Sequence, residues 1–113
     1  PRLRVLDRDG SEHTVEVGDE PHDITLSSNP EWETTTLRFV TQSLTMPATL
    51  YEDDLTTGDR RLLRRLPTPN VHLDRYVSRR EWATSADGTL VPVDIVHHVD
   101  TPIDGSAPAV VYG

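Results

Sequence analysis

Apolar and polar residues alternate along most of this chain in short runs, punctuated by Gly, Pro, Asp and Asn. Strict alternation is the pattern of a strand with one buried face. Thr35–Gln42 shows it most plainly, with Leu37 and Phe39 on one face and Arg38 and Val40 on the other. Its threonines favour extended backbone. Arg2–Leu6 and Glu12–Val17 flank DRDGS, where Asp9-Gly10 signals a hairpin turn because glycine takes positive φ without steric cost. His22–Leu26 and Ala48–Asp53 read as further strands, with loops at Ser27–Pro30 and SLTMP and a turn at Asp54–Asp59. Arg60–Leu66 admits two periods. Leu62, Leu63 and Leu66 share a helical side, but the run is short, follows Gly58 and stops at Pro67, so a strand is predicted. Pro67–Asn70 then breaks the pattern, since prolines this dense stiffen a connection and forbid regular pairing. Tyr76–Val96 reads as two strands closed by Asp87-Gly88, with Val91, Val93 and Ile95 sharing a face. Pro92 has no N–H to donate and belongs at an edge or a bulge. Beyond the loop DTPIDGSAP, Ala109–Tyr112 is a continuous apolar run, the pattern of a strand buried on both faces as in a parallel sheet.

Residues 22–66 therefore hold four strands in antiparallel meander order and residues 2–17 hold two more, which makes the predicted class mainly β. Four-stranded meanders are the repeat unit of β-propellers, although no internal repeat is visible in the residues themselves. Composition sharpens the picture. At 113 residues the chain is long enough for one small domain. A hydrophobic content of 35% is low for a self-contained core, and nine prolines interrupt the chain often. These values describe a loop-rich β protein or a piece that completes its core elsewhere. The opening PRLRVLD lacks Met and is already strand-like, and the closing APAVVYG is apolar, so both ends read as cut. The net charge of −8 argues against nucleic acid or an anionic membrane as the main partner. Cysteine is absent, which excludes disulfides, thiolate catalysis and Cys-zinc sites and fits a reducing compartment. No apolar run approaches membrane-span length, and no signal-peptide pattern is present.

Three stretches in order carry a resemblance. SLTMPATLYEDDLTTGDRRLL is similar to the last propeller blade of the oligopeptidase B (protease II) branch of the prolyl oligopeptidase family of serine peptidases. YVSRREWATSADGTLVPVDIV is similar to the hairpin that opens that family's catalytic domain, and DGSAPAVVYG to the loop and strand that follow. Arg79 departs from the family pattern, which has Glu there, and puts one inter-strand ion pair in doubt. The resemblance implies that residues 1–66 are the C-terminal end of a β-propeller, part of one blade and then the last blade. Residues 67–75 would be a linker, and residues 76–113 the N-terminal strands of an α/β-hydrolase domain. It implies a cytoplasmic parent enzyme that hydrolyses short peptides after Arg or Lys, with the propeller gating access and the linker as hinge. The expected partners are short peptide substrates and the remainder of both domains, with no cofactor.

The chain itself offers little catalytic chemistry. An α/β-hydrolase needs its serine on a G-x-S-x-G elbow, and no such motif occurs. Gly105-Ser106 lacks the second glycine and precedes a strand. In the family the triad lies downstream, and Tyr112 matches the tyrosine before the oxyanion-stabilising one. No residue is therefore assigned a catalytic, cofactor-binding or metal role, and the chain alone is expected to be inactive. His97-His98 with Asp94 and Asp100 raises the question of a metal, but adjacent strand residues point to opposite faces, so surface histidines are expected. Glu52–Asp54 with Asp59 lacks calcium-loop spacing and reads as a solvated hairpin. Arg60–Arg65 reads as an outer strand with solvated arginines rather than a nucleic-acid or acidic-partner site. Trp32 and Trp82 read as packing residues. The alternative to a peptidase piece is a non-catalytic β-strand interaction module, with a metal or nucleic-acid binder a distant third.

Overall fold

Eight strands in three antiparallel sheets make up the computed structural model, which describes residues 1–113. β1 (Leu3–Leu6) pairs with β2 (Glu12–Val15) around a turn in which Gly10 has φ +88°. β3 (His22–Leu26), β4 (Thr36–Ser43), β5 (Thr49–Asp54) and β6 (Arg60–Arg65) form one four-stranded sheet in sequence order. β7 (Tyr76–Thr84) and β8 (Leu90–His98) form a long hairpin closed at Asp87-Gly88, where Gly88 has φ +87°. A short 3-10 turn, Leu73–Arg75, leads into β7. No helix is long and apolar enough to cross a membrane.

The alternation in β4 is realised. Leu37, Phe39 and Thr41 share the inner face, with Phe39 fully buried and 5.9 Å from the Tyr51 ring on β5. Burying a side chain of this size stabilises by about 1.5–3 kcal/mol. Yet the apolar core amounts to Val15 and Phe39. The radius of gyration is 17.9 Å, against roughly 13 Å for a compact domain of this length. Three sheets that scarcely touch one another account for both values, because each leaves at least one face uncovered.

Three expectations are corrected here. Ala109–Tyr112 forms no strand, and Val110, Val111 and Tyr112 are almost fully exposed. A strand exists through its ladder, and no strand of this chain lies beside that segment. Trp32 and Trp82 pack against nothing extensive, at 90% and 60% exposure. Trp32 sits in the loop before β4, and Trp82 stands on a ribbon with no covering layer. Glu52 and Asp53 are not solvated but among the few buried residues, because β5 is an inner strand of its sheet.

Candidate functional site

Burying Glu52 and Asp53 requires cations, and the register supplies them. Arg38 on β4 and Arg61 on β6 both lie directly across from Glu52, and Arg60 lies across from Asp53. Arg38 Nε donates to Glu52 Oε2 at 2.7 Å, and Arg61 donates to the other oxygen. The Arg38 bond first, then Arg61, holds the Glu52 carboxyl below its usual range. Arg60 donates through Nε and Nη2 to both oxygens of Asp53, which raises its own pKa further. It also reaches the Glu16 carbonyl at 2.7 Å and covers the rings of Phe39 and Tyr51. Arg60 is drawn into this network at 31% exposure, whereas Arg61 is paired yet 70% exposed, and Arg64 and Arg65 are exposed without an ion pair, in keeping with the expected solvated outer strand. The acidic run is a neutralised cross-strand network, which leaves no carboxylate ligand free in Glu52 or Asp53.

The histidines are placed with the same economy. His97 and His98 are half-buried, and the His98 side chain keeps 35% of its surface exposed. His97 Nδ1 donates to the His98 carbonyl at 2.9 Å, which leaves Nε2 to accept from Arg79 at 3.0 Å. Arg79 also donates to Glu81 at 2.9 Å, so this arginine has polar partners of its own on the hairpin. His98 stacks edge-on against Tyr76 and lies 3.5 Å from Asp100. On the same face as His98, opposite to His97, Arg80 and Asp94 form a two-bonded pair, which lowers the Asp94 pKa and raises that of Arg80. No three His, Asp or Glu side chains converge on a common point that would hold a metal ion.

Ser106 donates to Asp104 at 2.6 Å in an exposed loop, with no imidazole beside it. Its hydroxyl lowers the Asp104 pKa and has no base to activate it. Ser78 is 8% exposed, and its Oγ has no hydrogen-bond partner. It lines a cavity of about 770 Å³ with Arg79, Arg80, Glu16, Asp19 and His22, between the hairpin and the other two sheets. Sequence alone gave no signal for this space, because it depends on how separate sheets lie together. Ser11 and His13 both approach Asp7, at 3.3 and 3.7 Å, but no serine hydroxyl is hydrogen-bonded to a histidine ring, so no triad is assembled among these residues.

Comparison with known proteins supplies what the geometry lacks. No family model matches the chain. It is 41% identical over 111 residues to a dipeptidyl aminopeptidase BI of Pseudoxanthomonas mexicana, covering 97% of this chain and 15% of that protein. It is 31% identical over 98 residues to Protease 2 of Moraxella lacunata, covering 84% of this chain and 14% of that one. Among solved structures, a prolyl endopeptidase superposes with a TM-score of 0.77 at 28% identity, covering 95% of this chain and 16% of that one. Oligopeptidase B of Trypanosoma brucei superposes with a TM-score of 0.74 at 24% identity over 90% of this chain and 16% of its own, a likeness of fold. The chain therefore spans about one-sixth or less of the length of these relatives.

Proposed function

Because this chain is homologous to the prolyl oligopeptidase/oligopeptidase B family of serine peptidases, we propose that it is the junction segment of a two-domain peptide hydrolase. In this reading residues 1–66 are the end of a β-propeller, 67–75 the linker and 76–113 the first strands of an α/β-hydrolase domain. The 41% identity carries the proposal, since the aligned 111 residues span 97% of the chain and so extend across all three sheets. The four-stranded meander matches the architecture of a propeller blade. The whole enzyme would be cytoplasmic and attack the scissile carbonyl of short peptides with a serine, using histidine as general base and an acid to orient it. All three would lie outside these residues. The propeller would admit only small or unstructured peptides.

Cleavage after Arg or Lys is the first specificity assigned. The name of the 41% identical relative favours a second, removal of dipeptides from a free N-terminus. Substrates blocked at the N-terminus and ending in Arg or Lys separate the two from unblocked dipeptide substrates.

The test begins with the native gene product, captured by an antibody to the hairpin at residues 76–96. A species several-fold heavier than 12.7 kDa that reacts with a fluorophosphonate probe is the expected result. A heavy species that never reacts with the probe, or a native product near 12.7 kDa, removes the peptidase reading and leaves an interaction module.

A further inference from the structure

The linker contains one weakly held turn followed by a firmly held approach to the hairpin. The last ladder bond of the four-stranded sheet is Leu66 N–H to the Ala48 carbonyl at 3.0 Å. Between Leu66 and His72 a single backbone bond follows, from Val71 N–H to the Thr68 carbonyl, at a long 3.4 Å. It closes a turn with Pro69 second and Asn70 third, and Asn70 is the chain's one non-glycine residue at positive φ, +65°. A type II turn requires positive φ at its third residue, and asparagine tolerates it better than other side chains except glycine. Pro67–His72 are all exposed, and none makes a side-chain hydrogen bond.

From His72 onward the chain behaves differently. Arg75 N–H bonds the His72 carbonyl at 3.0 Å and closes the 3-10 turn. Val99 N–H, just past the end of β8, bonds the Arg75 carbonyl at 2.8 Å. The Tyr76 and His98 rings meet edge-on at 5.4 Å, and Arg75 Nη2 reaches Asp100 at 2.6 Å. The ion pair is exposed on both sides and contributes little. The backbone bond and the ring contact do the holding.

We propose that the pivot between the four-stranded sheet and the hairpin is the single turn Thr68–Val71, and that residues 72–76 move with the hairpin as one body. The hinge is thereby narrowed from the nine residues of the linker to one turn, set by the left-handed Asn70. The proposal rests on the linker reading above but not on peptidase activity, and its readout is a distance, so it fails or survives independently.

These 113 residues hold no cysteine, so introduced cysteines label this segment cleanly once any cysteines elsewhere in the native-length product have been replaced. Pairs placed at Ser28 and Ala86 span the turn, and pairs at His72 and Ala86 lie within the proposed body. The expected result is a narrow His72–Ala86 distance distribution that Asn70→Val leaves unchanged, while the same substitution, whose β-branched side chain opposes positive φ, broadens Ser28–Ala86. Val99→Pro, which removes the donor to Arg75, should broaden His72–Ala86. Exchange protection of the β7–β8 amides checks that the hairpin is intact in each variant. A Ser28–Ala86 distribution that Asn70→Val does not alter, or a His72–Ala86 distribution already broad in the parent, overturns the proposal.

Discussion

Arg60 is the most heavily committed side chain of the four-stranded sheet, and its removal tests how that sheet is held. Two of its nitrogens reach the oxygens of Asp53 at 2.8 and 2.7 Å, and its guanidinium carbon lies 5.0 Å from the Phe39 ring centroid and 5.3 Å from that of Tyr51. The Asp53 side chain is 12% exposed and that of Arg60 31%. Removing one partner of a fully buried pair costs about 3–5 kcal/mol, because the other charge is stranded. Water reaches Arg60 here, so about 2 kcal/mol is the appropriate share. Each ring contact adds about 0.5 kcal/mol at a partly exposed site. Arg60→Ala should therefore lower local stability by about 3 kcal/mol, a roughly hundredfold loss of amide protection. Hydrogen exchange of the β4 and β5 amides measures it. Arg64→Ala is the control, an exposed arginine without an ion pair, and should change protection by no more than about twofold. Arg60→Lys keeps the charge without the fork and should fall between. Adding Asp53→Asn to Arg60→Ala should restore part of the protection, since the stranded charge is gone. If Arg60→Ala costs less than about threefold, or the double variant recovers nothing, the stranded-charge reasoning is wrong.

Phe39→Ala should cost about 3–5 kcal/mol in the same sheet and leave exchange in β7–β8 unchanged, because the two sheets share no core. Acid should loosen the β7–β8 turn in a defined window. Ser85 first, then Thr89, lower the Asp87 pKa from 3.8 to about 2. A depressed carboxylate contributes stability that is complete above its unfolded pKa and is lost as pH falls through the folded one. Protection of the Gly88 and Thr89 amides, taken relative to their intrinsic exchange rates, should therefore fall as pH falls from about 4 to 2, and in Asp87→Asn that loss of protection should vanish. The recombinant chain of 113 residues should remain unlabelled by a fluorophosphonate probe, and labelling at Ser106 or Ser78 would contradict the absence of an activating base.

Alternation and turn residues carried most of the fold. His22–Leu26 is a strand over the residues expected, and the other paired strands differ from expectation by one or two residues at an end. Asp9-Gly10 and Asp87-Gly88 close the hairpins foreseen for them. These features are local, set by side-chain period and glycine conformation, and so are visible in one sequence. What stayed hidden depends on neighbours. Glu52 and Asp53 look like a solvated acidic run until the register places Arg38, Arg60 and Arg61 opposite them. Ala109–Tyr112 has the apolarity of a buried strand, but no ladder in these residues makes it one. The Leu73–Arg75 turn and the left-handed Asn70 carry no apolar pattern, so periodicity passes over both. The missing G-x-S-x-G is visible in the sequence because that elbow is a fixed short motif.

The buried residues also distinguish the sheets. In the four-stranded sheet the interior is Phe39, Thr41, Thr49, Glu52 and Asp53, joined by arginines from both flanking strands. Most of its cohesion is therefore satisfied within its own ladder, where cross-strand pairs act at short range. The β7–β8 hairpin has the opposite balance. Its one buried residue is Ser78, whose hydroxyl has no partner, while Trp82, Leu90, Val91, Val93 and Val96 remain largely exposed. A two-stranded ribbon is at best marginal in water without a covering layer, and exposed apolar area of this kind marks a surface made for contact. The four-stranded sheet carries its own polar framework, whereas the hairpin leaves its apolar residues without a covering layer among these residues.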